Sequence, residues 1–176
     1  MNRRTALTLM TMGLLSLAVA LPAGNAVAQQ KQRVSYKVSA EKSTFTQQLN
    51  IDAGDQPNHL MRVYEVRRTF SSDAPIINGL KLVEEWNRGI ADITDGNGSG
   101  TLVTMYVMEN GDKFFDRRTS VAQNTSGKIN PTHVGYITSG TGKFVGIQGI
   151  VRASQNVDLK TGVTDSQTDI EYWIAK

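Results

Sequence analysis

The sequence predicts an all-β protein, a single closed antiparallel β-barrel of about eight strands, and three observations carry that expectation. β-Branched and aromatic residues fall in short runs with period-two alternation. Clusters of Gly, Asn, Asp and Pro separate the runs, and the 16 glycines are ample for the turns. No segment keeps an i, i+3, i+4 apolar pattern without Gly or Pro interrupting it. Closure is expected over an open sandwich because a barrel has no edge strands to invite aggregation.

The first residues set the domain boundary. Arg3 and Arg4 precede an apolar run from Ala6 to Leu21, Pro22 and Gly24 follow, and Ala26-Val27-Ala28 supplies the small-x-small pattern of a signal-peptidase site. The expectation is a cleaved signal peptide over 1–28 and a β-barrel domain over 29–176, exported to the periplasm or secreted. The unbroken apolar run is shorter than the ~20 residues that cross a bilayer, so no membrane span is expected after processing. Arg3-Arg4 also leaves a twin-arginine route open beside the general one.

The strands follow in order. Arg33 to Ser39 alternates with Val34, Tyr36 and Val38 on one face. Phe45, Leu49 and Ile51 continue at even spacing, and Asp52 to Asn58 reads as a loop. Leu60 to Phe70 is a long strand with Leu60, Tyr64, Val66 and Phe70 on one face, joined by Arg62 and Arg68. Ser71 to Pro75 turns the chain into a strand from Leu80 to Ile93. Thr101 to Met108 is apolar on both faces, as in a strand that is covered or lines a cavity. Asn110-Gly111 predicts a two-residue hairpin turn into Lys113-Phe114-Phe115. Strands at 133–138, 144–157 and 168–175 complete the set, with Thr161-Gly162 turning the last pair.

Near the C-terminus stands Thr138-Ser139-Gly140-Thr141-Gly142-Lys143-Phe144-Val145-Gly146-Ile147-Gln148-Gly149. This run resembles one shared by allene oxide cyclases, dirigent proteins and bacterial exported proteins of that superfamily. The segments 84–89 and 109–113 are similar to the bacterial members as well. The resemblance implies a calycin-like, allene oxide cyclase-like eight-stranded barrel, and it leaves two activities open. One is binding of a small apolar or amphipathic molecule in the lumen; the other is an isomerase or cyclase acting by cavity shape. A filled barrel with a structural or interaction role is the third reading, because one fold hosts many functions.

Candidate lumen and ligand-binding residues come from the strand around Trp86. On a strand, Glu84, Trp86 and Arg88 share a face with Leu80 and Leu82; if that face lines the cavity, a carboxylate and a guanidinium meet a ligand beside an indole. The alternative is a buried Glu–Arg pair, or a solvated face with a packed tryptophan. Tyr64 and Tyr106 could add hydroxyls to the same lumen or simply fill it. Asp95, Asn97 and Ser99 match the first half of a calcium loop, yet position twelve is Tyr106 instead of Glu, and loop composition alone explains them. No other metal ligand set, no catalytic residue and no cofactor is expected. His59 and His133 lack metal-ligand spacing, and Gly140-Thr141-Gly142-Lys143 fails as a phosphate loop because Ile137 and Phe144 stand at required positions.

Composition excludes more. With no cysteine, disulfides, thiolate metal sites and a lipidated cysteine are absent. Removal of the leader takes Arg3 and Arg4 but no acid, leaving 17 basic against 16 acidic residues. So small an imbalance predicts no nucleic-acid partner. The expected partners are a small hydrophobic ligand and, on the filled-barrel reading, further copies of the chain.

Overall fold

The computed structural model describes residues 30–158 and 162–175. The leader expected over 1–28, with its cleavage site, and Thr161 of the expected last turn lie outside the described residues. Among the described residues, twelve strands run in chain order as β1 (Gln32–Ser39), β2 (Ser43–Asp52), β3 (His59–Thr69), β4 (Ile76–Ile77), β5 (Leu80–Thr94), β6 (Asn97–Met108), β7 (Lys113–Ala122), β8 (Asn124–Thr125), β9 (Lys128–Ile129), β10 (Thr132–Gly140), β11 (Ile147–Asp158) and β12 (Gly162–Ile174). Only two short 3-10 turns, Ala40–Lys42 and Gly142–Phe144, break the all-β pattern among the described residues.

All pairings are antiparallel, and the main path runs β1-β12-β11-β10-β7-β6-β5-β3-β2. The expectation of a closed eight-stranded barrel is corrected here. The sheet is an open half-barrel of nine main strands, with three short ones added, and its end strands β1 and β2 do not pair. The physical reason lies in β2. Thr46 is an extra residue in the ladder with β3, so the strand changes face between Phe45 and Gln47. Phe45 faces the interior opposite Val66, while Gln48 and Asn50 take the inner positions opposite Tyr64 and Arg62. Leu49 and Ile51 point outward and are exposed. The even spacing expected for Phe45, Leu49 and Ile51 is therefore broken, and beyond Phe45 β2 has no apolar inner face to dock.

A second bulge decides where the charges go. In the β5–β6 ladder Leu82 pairs with Met108 and Glu84 with Val107, so Val83 is the extra residue. From there on the parity of β5 is reversed. Leu80 and Leu82 point inward, but so do Glu85 and Asn87, all of them buried.

Tight turns join the strands. Asn78-Gly79, Asp95-Gly96 and Ser126-Gly127 each have two successive positive φ values, the conformation of a two-residue hairpin turn. At Asn110-Gly111 the expected hairpin forms, but only Gly111 has positive φ. Met108 N–H donates to Asp112 O at 2.8 Å, leaving a three-residue loop, Glu109 to Gly111, instead of two. The Asp112 side chain explains the choice. Its carboxylate accepts from the Lys143 backbone N–H at 2.9 Å, which ties this hairpin to the Thr138–Gly149 run. Gly142 sits at φ +52, and a Cβ there would come within 1.9 Å of the Asp112 carboxylate. That run is thus a structural clasp: Thr141 N–H donates to Lys113 O at 2.7 Å, and Phe144 is buried against Phe114.

The interior is layered along its axis. At the end closed by the clasp, Val38, Ile77, Leu82, Phe114, Phe144 and Tyr172 belong to one apolar plug. Each such side chain contributes about 1.5–3 kcal/mol on burial. Above the plug lies a layer of buried charge. Above that layer, the opposite end of the half-barrel is open.

Candidate functional site

The charged layer is built from alternate residues of five strands. Arg68 on β3 pairs with Glu85 on β5 at 2.8 Å, and both are buried. Glu85 also accepts from Tyr36 Oη on β1 at 2.8 Å and from Asn87 Nδ2 at 2.9 Å. Thr104 Oγ1 on β6 donates to Asn87 Oδ1 at 3.0 Å. On the next strands Arg118 pairs with Asp116 at 2.7 Å, and Tyr106 Oη donates to Asp116 Oδ2 at 2.7 Å. Burial alone would push the Glu85 carboxyl up, but the Arg68 and Arg118 guanidiniums outweigh it and hold it below the usual range. Burial pushes the Tyr36 and Tyr106 hydroxyls well up, so both stay protonated donors. Two cations and two anions cancel, which is how such groups tolerate a dry interior.

Over this layer opens a cavity of about 120 Å³. Its walls are apolar, with Val66, Ile93, Leu102, Ile129 and Val157 among them, and its floor presents Arg68, Asn87 and His133. Tyr64 and Arg62 stand on the β3 wall. Tyr64 lies over Gly89, the residue paired with it on β5, and a Cβ at Gly89 would sit 2.5 Å from the phenol ring. The bare glycine is what lets the ring lie flat and keeps it from standing in the cavity.

The floor holds polar atoms with no protein partner. His133 is only 4 % exposed, yet neither of its ring nitrogens is hydrogen-bonded, and Arg68 Nε is likewise unpartnered. Buried polar atoms are nearly always satisfied, so each exception calls for an account. Burial first, then the Arg118 and Arg68 charges, lower the pKa of His133 to about 4. An unfolded histidine titrates near ~6.5, so between about pH 6.5 and 4 only the unfolded chain gains this proton. The stability that depends on neutral His133 is full above about pH 6.5 and is lost as pH falls through about 4, on the order of 3 kcal/mol. Urea midpoints should fall with pH across that window, and His133→Gln should flatten the fall.

The residues expected from the sequence divide between two faces. Tyr64 lines the cavity. Tyr106 lies inside but below it, stacked on Phe114 at 4.1 Å. Glu84, Trp86 and Arg88 lie on the outer face, because the Val83 bulge reverses the strand. There Glu84 pairs with Arg67 and accepts from Trp86 Nε1 at 2.8 Å, and the Arg67 and Arg88 guanidiniums each lie 5.3 Å from the indole centroid. Arg88 is paired with Glu65 at 2.6 Å. The Arg67 hydrogen bond first, then the Trp86 bond, hold the Glu84 carboxyl below its usual range. This set is a cation–π stack with flanking ion pairs on the surface.

The calcium candidates do not converge. Asp95 is in a tight turn, where its carboxylate accepts from Asn58 Nδ2 at 2.7 Å. Asn97 Oδ1 accepts from the Asn124 N–H at 2.9 Å, and Ser99 belongs to the cavity wall. Asn87 and His133 are the floor residues that sequence reasoning missed. A signal existed for His133, which shares the inner-face alternation of β10 with Ile137.

The fold and site together define an open antiparallel half-barrel with a plugged base, a neutralised charge layer and a small polar-floored cavity. No family model matches the chain, and no curated protein matches it. Among solved structures it is similar to that of the pterocarpan synthase dirigent protein PsPTS1, with 13% identity and a TM-score of 0.48, over 84% of this chain and 96% of that one.

Proposed function

We propose that the protein is exported and holds one small amphipathic molecule in the open end of its half-barrel. The single observation that carries this reading is the cavity itself, an apolar concavity floored by Arg68 and His133, whose buried polar atoms lack protein partners. Few convergent polar groups in an apolar concavity are what a ligand site needs. The volume is comparable to the ~150 Å³ cavity that accepts a benzene-sized molecule, so the bound part is a ring or a short chain. The basic start, apolar run and small-x-small pattern of residues 1–28 support export. Native mass spectrometry of protein purified from its own source without detergent should show a small-molecule adduct. Ala122→Trp fills the cavity from its wall and should abolish that adduct. Bare polypeptide from the wild type, or an adduct that survives Ala122→Trp, would overturn the reading.

A further inference from the structure

The charges around the cavity are one-sided. Arg62, Arg68 and His133 line it, and among the described residues no Asp or Glu does. Beneath, the buried Arg68–Glu85 and Arg118–Asp116 pairs cancel. Arg62 is therefore the charge in excess. Its Nε donates to the neutral Asn50 Oδ1 at 2.8 Å, and among the described residues it has no carboxylate partner. A cation at the wall, a guanidinium Nε and an imidazole on the floor, and low-dielectric walls between them give a field that favours negative charge.

We infer that the occupant is a small organic monoanion, a carboxylate on a ring or short chain, whose charged end rests on the Arg68 and His133 floor while Arg62 attracts it from the wall. This rests on the lumen-binding reading above and narrows it. A carboxylate settling onto the floor would bring an acceptor to Arg68 Nε and His133, two buried groups with no protein partner. A neutral amide or alcohol of the same shape satisfies fewer of them and gains nothing from Arg62. A cationic ligand would face Arg62 and Arg68 without a counter-ion.

Two features make the test clean. The chain has only two histidines, and they report different places. His59 is clamped on the surface between Asp55 at 2.5 Å and Asp92 at 2.8 Å, and those two hydrogen bonds raise its pKa. His133 faces Arg118 of β7, Arg68 of β3 and Glu85 of β5, with burial and the two cations lowering its pKa. A carboxylate placed beside His133 favours the protonated ring and must raise its pKa.

Imidazole NMR titrations of the full chain with benzoate and, separately, benzamide decide the matter. Benzoate should raise the apparent pKa of His133 by about one unit or more, leave His59 unmoved, and bind at least about ten times tighter than benzamide. Arg62→Gln removes a partly exposed side chain, so the fold should persist; benzoate affinity should fall about three- to tenfold while benzamide is unaffected. If benzamide binds as well as benzoate, the monoanion inference is wrong and the lumen reading stands. If neither ligand perturbs His133, both fall.

Discussion

Glu85→Gln should destabilise the protein by about 3 kcal/mol or more, whereas Glu84→Gln, one residue away, should cost less than ~1 kcal/mol. The two carboxylates are chemically identical and adjacent in sequence, and only the Val83 bulge separates their fates. Glu85 is fully buried, and its charge is the partner of Arg68, itself 2 % exposed. Neutralising it leaves a guanidinium in a dry layer with no counter-charge, and it weakens the bonds from Tyr36 and Asn87 as well. Glu84 pairs with the half-exposed Arg67 at the surface, where water screens the pair and replaces what is lost. Urea unfolding of the two variants measures the difference directly. Equal costs would mean that the face reversal at Val83 is absent.

Phe114→Ala should cost about 3–5 kcal/mol, the range for emptying a large aromatic site in a packed core. Phe114 has no solvent exposure. Its ring stacks on Tyr106 with centroids 4.1 Å apart and packs against Phe144 at 5.2 Å. Those contacts cannot be recovered by small shifts, because Tyr106 is pinned through its hydroxyl to Asp116 and Phe144 is held by the clasp around Asp112. The plug lies on the far side of the charge layer from the cavity. Molecules of the variant that remain folded should therefore bind benzoate within about twofold of the wild type, as NMR titration can show.

How much of this was legible in the sequence depended on regularity. β1, β3 and the last three strands keep a strict two-residue period over most of their length, so their existence and faces could be read from alternation. Arg62 and Arg68 on the apolar face of β3 were visible too, and a buried Arg68 signals that a buried carboxylate must meet it. Its identity was not legible, because it depends on a bulge at Val83 and on the β3–β5 register, and neither leaves a mark in the local composition. Thr46 misled in the same way. The three two-residue turns at Asn78, Asp95 and Ser126 follow ordinary turn chemistry. At Asn110 the local preference was overridden by a distant partner, since Asp112 is held by the backbone of Lys143. The run from Thr138 to Gly149 was the strongest motif, and it builds the closed end instead of the cavity.

The interior is divided, packed below the charge layer and open above it. The chain has no cysteine, so single cysteines can probe that division without background. Ala91→Cys and Ala122→Cys place a thiol on the cavity wall, and Val38→Cys and Val151→Cys place one in the plug. Alkylation of the native variants by iodoacetamide should proceed readily for the first two and be blocked by bound benzoate, while the second two react only once the protein unfolds. Plug thiols that react as fast as cavity thiols, or cavity thiols that stay inert in the native state, would contradict the division.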